Sequence, residues 1–380
     1  MLNIPLSLYI HIPWCVRKCP YCDFNSHEQR GDHVEQTYVD ALLQDLDEQL
    51  PRIKDRRLTS IFFGGGTPSL FAPASIERIL LGVQARLNYH TNIEITLEAN
   101  PGTIDQKNFK DFRSAGVNRL SLGIQSLQDD KLRALGRIHD KETALRAIDY
   151  AQHCGFDNLN LDLMYGLPEQ TPADALADLQ AALNFKTPHL SWYQLTIEPN
   201  TVFYRYPPVL PQDEIIWDMQ MQGQQLLTEH GLNQYEVSAY SRDEFNCQHN
   251  RNYWEFGDYL GIGAGAHSKI TEQEKIIRHS QVKQPKDYLN SEKKKTAQTL
   301  VLSENDIIFE FMLNGLRLTE GIAANLFTER TGLTMKSIEK ELLIARRKNL
   351  LLTHPDYWVP TELGKRFLND LVGIFLPPNV

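Results

Sequence analysis

The chain has 380 residues, enough at roughly 100–200 residues per domain for two or three domains and a sizeable core. Apolar residues make up 42% and charged residues 23%, as in ordinary soluble globular proteins, and a formal charge of −9 argues against a nucleic-acid footprint, which needs a basic face. Five cysteines in so long a chain exclude a small disulfide scaffold; with no signal-peptide pattern and no apolar run of about 18 residues, the expectation is a reduced, cytoplasmic protein.

The first apolar run, "SLYIHIP" (7–13), passes straight into Cys15, Cys19 and Cys22, spaced C-x3-C-x2-C. Five further runs follow: "SIFFGGG" (60–66), "IEITLEAN" (93–100), "NRLSLGIQS" (118–126), "NLNLDLMYG" (158–166) and "HLSWYQLTIEP" (189–199). Nearly continuous hydrophobicity suits strands buried on both faces of a parallel sheet. Helical periodicity fills the intervals, as in 34–50 and 171–184, where Thr171 is an N-cap before Pro172. The fold class is therefore α/β, a partial (β/α)6 barrel over residues 1–233. Polar and glycine residues gather where these strands end: Gly64, Gly65, Gly66, Thr67, Glu98, Gln125 and Asp162. In parallel α/β sheets that edge binds ligands.

Residues 234–271 read as an extension with seven aromatics in the 25 positions 235–259, against 9% for the chain. The lysine-rich segment 272–300 reads as an exposed polar linker. Residues 301–380 return to helical periodicity and end in a strand-turn before a last helix, a small winged-helix-like module. Winged helices often serve only for packing, and the acidic charge speaks against a DNA-binding regulator.

Thiolates are soft ligands that select zinc or iron–sulfur clusters. A structural zinc site closes with four protein ligands, commonly as two separated pairs, and the alternative here has His11 or His27 as the fourth. A 4Fe–4S cluster held by three thiolates instead keeps one iron for an exogenous chelator. That vacancy, the parallel βα order and "GGGTPS" together resemble the radical S-adenosylmethionine (SAM) superfamily. The resemblance implies that SAM chelates the unique iron through its amino and carboxylate groups and can yield a 5′-deoxyadenosyl radical, chemistry that belongs to the cofactor. Gly64, Gly65 and Gly66, lacking Cβ atoms, would let the backbone approach the methionine moiety.

"YIHIPWC…KCPYCDF", "FFGGGTPS", "LEANPG", "SLGIQS", "LGRIH", "LDLMYGLP" and "WYQLTIEPNT" resemble the oxygen-independent coproporphyrinogen III oxidase family, from about residue 7 to 268 and more loosely beyond. The resemblance implies that Tyr9, Tyr21, Gly65 and Glu98 contact the cluster-bound SAM. It implies that Gly66, Thr67, Gln125, Arg137 and Asp162 hold SAM, including a second molecule in the oxidase branch. Two departures point to the haem-chaperone branch: the oxidase has a fourth cysteine where Phe24 stands, and a long N-terminal extension before its cluster. "HNRNYW" resembles that branch's H-N-x-x-Y-W haem motif. It makes His249 the candidate axial ligand, with Tyr253 and Cys247 as alternatives and Arg251 as a propionate partner; Trp254 belongs to an aromatic platform formed by the enriched stretch, and His267, in "GAGAHS", is a further candidate. Implied partners are haem as cargo, haem-accepting apoproteins such as respiratory enzymes, membrane-bound ones contacted peripherally, and a second copy in a homodimer; no nucleic acid is expected. The competing reading is a radical SAM enzyme decarboxylating coproporphyrinogen III or a related substrate.

Overall fold

In a computed structural model of the chain, residues 4–29, 34–53, 55–103 and 106–377 are described. Strand β1 (Leu6–Ile12) is buried at six of its seven positions, so both faces are covered, as its unbroken hydrophobicity requires. Helix α1 (Glu35–Ile53) returns the chain to β2 (Leu58–Gly65). The same alternation gives α2 (Pro73–Gln84), β3 (Tyr89–Ala99), α3 (Gln106–Ser114), β4 (Arg119–Gln125), α4 (Lys141–His153), β5 (Asn158–Tyr165), α5 (Pro172–Leu183) and β6 (His189–Gln194). Thr171 caps α5 in a reciprocal capping box: its Oγ1 accepts from the Asp174 N–H, and the Asp174 carboxylate accepts from the Thr171 N–H. Such a cap is worth about 1 kcal/mol.

β1 to β6 lie side by side and all pair in parallel, which puts the ends carrying Gly65, Glu98 and Gln125 on one rim. The sheet continues on both flanks. Past α6 (Asp213–Glu229), β7 (Asn233–Glu236) and β8 (Ala239–Ser241) add antiparallel strands beyond β6. After α7 (Gln248–Trp254), β9 (Asp258–Ile262) pairs in parallel with the free side of β1, Leu8 opposite Leu260.

Residues 272–300, expected as a linker, instead extend this flank. β10 (His267–Glu272) and β11 (Lys275–Gln281) form a hairpin whose two turn residues, Gln273 and Glu274, both have positive φ, as a tight two-residue turn demands. β12 (Thr296–Val301) is the sheet's edge, exposed at five of six positions. An edge strand facing water carries no apolar alternation, so its composition imitates a linker. The order among the described residues is β12-β11-β10-β9-β1-β2-β3-β4-β5-β6-β8-β7, an open sheet.

The C-terminal segment packs α8 (Glu304–Gly315), α9 (Asn325–Thr331), α10 (Glu339–Arg347) and α11 (Leu368–Gly373) with a two-strand ladder, Ile322–Ala323 against Tyr357–Trp358. Its core centres on Phe311, Phe327 and Trp358 and takes in Phe256 and Ile276 from the sheet's flank. Helix α7 is wedged between β1, β2 and β9 on one side and α8 on the other.

Candidate functional site

β1 delivers the thiols. After Ile12, Trp14 and Cys15 pair with His27 and Glu28 in a short parallel ladder, so the loop between them is pinned at its neck. Inside it the Cys22 N–H donates to the Cys19 carbonyl at 3.1 Å, and Lys18 Nζ donates to the Phe24 carbonyl at 3.0 Å. All three cysteines are partly exposed. Burial pushes the Cys15 thiol up, opposed by hydrogen bonds to Thr67 and Ser26. Cys22 Sγ lies 3.6 Å from Ser26 Oγ. Arg137 reaches in from after β4: Nη1 is 3.7 Å from Cys19 Sγ and Nη2 donates to the Gly123 carbonyl at 2.7 Å.

Among the described residues no set of three His, Cys, Asp or Glu side chains converges to hold a single metal ion. His11 does not complete a zinc site, because both its nitrogens are engaged, Nε2 donating to the Asn25 carbonyl at 2.9 Å and Nδ1 accepting from Tyr9 OH at 3.0 Å. His27 Nε2 pairs with Asn25 Oδ1. Three partly exposed soft donors on one loop fit a 4Fe–4S cluster, in which each thiolate takes a different iron.

The glycines after β2 are required by the protein itself. Gly65 has φ +117°, and a Cβ there would stand 2.5 Å from the His11 ring; one on Gly66 would meet the Trp14 carbonyl at 2.4 Å. The N–H groups of Gly66 and Thr67 are already spent on the carbonyls of Ile12 and Trp14. The expected close approach is thus first of all strand to loop, which locks the thiol loop onto the rim.

Tyr9, Gly65 and Glu98 share a cavity of about 570 Å³ with His11, Asp23, Phe24, Asn25, Tyr253, Tyr259, His267 and Lys283. Glu98 accepts from the Gly65 N–H at 3.3 Å, and its carboxyl is pushed up to about 8, first by burial and then by the Asp162 charge. Asp162, held by Ser121 and Asn160, lines a second cavity of about 220 Å³ together with Tyr9, Glu98, Arg119, His249 and Tyr253. Tyr9, Glu98 and Tyr253 wall both spaces. Gln125 sits at the end of β4 with φ +69° and accepts from Tyr193 OH at 2.7 Å. Thr67 and Arg137 instead line a narrow cleft beside Cys19. Tyr21 lies tilted against Phe203 with ring centroids 6.4 Å apart, and burial raises its hydroxyl against the pull of Arg137.

The haem motif divides. His249 and Tyr253, four residues apart on α7, face the barrel interior together. His249 is buried, stacked on Phe62 at 4.9 Å. Ser60 Oγ donates to Ser7 Oγ, so it accepts from His249 Nδ1 (3.0 Å), leaving Nε2 to accept from Tyr253 OH (3.0 Å). Burial and the nearby Arg119 lower its pKa to about 3, so the ring is neutral. Cys247 is not placed as an iron ligand: it is fully buried at the start of α7, 3.6 Å from Glu94, its thiol pushed up to about 12 by burial. Trp254 points the other way, into the C-terminal core, under the Arg317 guanidinium at 4.3 Å. Arg251 is exposed and paired with Glu255. Tyr259 belongs to the aromatic-rich stretch 235–259; sequence reasoning missed Lys283 and Arg119, neither of which carries a local motif.

These features define a radical SAM protein, and comparison with known proteins agrees. A family model of the Radical SAM superfamily matches residues 9–182, and one of the HemN C-terminal domain matches residues 302–367. The E. coli coproporphyrinogen III oxidase (HemN) structure superposes with a TM-score of 0.83 at 23% identity, covering 99% of this chain and 91% of that one, a likeness of fold. Proteins named heme chaperone HemW are 51% identical in Haemophilus influenzae and 48% in E. coli, each alignment covering 98% of both chains. The HemW of Bacillus subtilis is 32% identical over 97% of this chain and 99% of its own. The chain belongs to the HemW family.

Proposed function

We propose that the chain is a cytoplasmic haem chaperone, holding haem in the 570 Å³ cavity and passing it to apoproteins such as respiratory enzymes. The carrying observation is that Tyr253, from the haem motif, walls the same space as Glu98 and Gly65. The names of the full-length relatives support the reading, as does Phe24, 61% exposed at the cavity where the oxidase pattern has a fourth cysteine. A flat apolar ligand suits such walls, whose volume lies in the usual range of about 300–1,000 Å³ for ligand sites.

When bound, the cluster and SAM supply a redox-active, charged group. Cys15, Cys19 and Cys22 would hold the cluster, and Glu98 would accept from the SAM amino group. Arg137 offsets thiolate charge at Cys19. His249 lines the smaller cavity, which shares Tyr253 with the larger one; it would offer Nε2 to iron if Tyr253 OH released it, with Nδ1 bonded to Ser60 orienting the ring. Among the described residues no helix is long and apolar enough to cross a membrane, and membrane-bound acceptors are met peripherally.

The test is transfer. Haem-loaded protein mixed with an apo-haemoprotein should deliver haem faster than free haem in buffer does, as a Soret shift follows in stopped flow. Transfer no faster than spontaneous haem loss contradicts the reading.

A further inference from the structure

The histidines around the two cavities differ in what their ring nitrogens already do. In His11 and His249 both nitrogens are hydrogen-bonded within the protein. His267, at the start of β10, lines the larger cavity from its exposed mouth, and its ring makes no hydrogen bond among the described residues. The aromatic wall beside it is ordered: Tyr253 and Tyr259 meet edge to face at 4.4 Å, and Tyr259 OH is fixed by Arg278 at 2.7 Å. The Phe24 carbonyl accepts from Lys18 Nζ and the Ser26 N–H, which fixes its backbone, and its exposed ring lines the space. Lys283 lies on the same rim; its carbonyl is tied to Asn25 at 2.9 Å, while its ammonium has no acidic partner among the described residues. The groups facing this mouth are thus a free imidazole, a free ammonium, the Asp23 carboxylate and rings.

We propose that His267 is an axial iron ligand at the cavity mouth, with Lys283 meeting a propionate of the same porphyrin. This rests on the haem reading and adds a second ligand to it, the one an arriving haem meets before His249. An iron porphyrin has an open axial position, two carboxylates at one edge and flat apolar faces, and each finds its complement here. Partial burial and the cations of Arg278 and Lys283 hold His267 below its ordinary range, so at neutral pH its nitrogen lone pair is available.

Ferric haem is titrated under anoxia into the full-length, cluster-reconstituted chain and into its His267→Ala, His267→Cys and Lys283→Glu variants, followed by absorbance and electron paramagnetic resonance. His267→Cys should convert the haem spectrum to a thiolate type. His267→Ala should raise Kd about tenfold or more, and Lys283→Glu about threefold, with the iron–sulfur signal unaltered. If the parent chain binds haem but both His267 variants keep its spectrum and affinity, the inference is overturned. A parent chain that binds no haem is a different result, and it overturns the haem reading itself.

Discussion

Gly65→Ala tests how the rim and the thiol loop are joined. At φ +117° an L-residue is strained by about 1 kcal/mol or more. The new Cβ would lie 2.5 Å from His11 Cε1, 2.7 Å from Nδ1 and 2.8 Å from Nε2, so the whole ring must move. That ring is held by Tyr9 OH and the Asn25 carbonyl, and losing both bonds costs roughly 1 kcal/mol each. The expected destabilisation is therefore about 3 kcal/mol, measured by urea unfolding of the anaerobic protein with unchanged m-value. His11→Ala in the same chain removes the clash but not the backbone strain. The double variant should be less unstable than the two single effects summed, by about 1–2 kcal/mol. A loss below about 0.5 kcal/mol, or strict additivity, would refute the claim that Gly65 is required by the His11 contact.

Glu98 has a carboxyl raised to about 8, so without ligand it is largely protonated at neutral pH and charged above that value. A SAM amino group that donates to the Glu98 carboxylate should then draw a proton off Glu98 on binding below pH 8, with affinity rising by up to about tenfold per pH unit as pH climbs towards 8; calorimetry in two buffers reads the protons, and Glu98→Gln should release fewer of them than the parent chain. Arg137→Gln removes the cation beside Cys19 and should lower the cluster's reduction potential by tens of millivolts, read by spectroelectrochemical titration. Cys247→Ser should leave haem affinity within about twofold, since that thiol faces Glu94 and not the cavity. Trp254→Ala should cost about 2 kcal/mol, mostly in the C-terminal segment's thermal unfolding, without moving the haem spectrum.

The six parallel strands were legible because burial on both faces forces unbroken apolar runs, and the cysteine spacing was legible because its ligands are local in sequence. The β10–β11–β12 flank was not: β12 faces water and carries no apolar alternation, while β10 and β11 bury polar side chains such as Ser268, Lys269, His279 and Gln281 alongside Ile270 and Ile276, so the stretch reads as linker. The haem motif was half legible. Helical geometry keeps His249 and Tyr253 on one face, yet sends Trp254 to another and leaves Cys247 before the first turn. Phe24, read as a branch marker, proves to be an exposed wall of the cavity. His267, already a candidate in the sequence, is brought to that cavity by the hairpin, which pairs it with Ser280, whereas Lys283, just past β11, is announced by no local pattern.

The most direct measurement adds haem and coproporphyrinogen III, in separate aliquots, to one anaerobic preparation carrying its cluster and SAM. The account predicts a stoichiometric Soret band in the first and no decarboxylated porphyrin in the second. Porphyrinogen turnover in a chain that takes up no haem would contradict it.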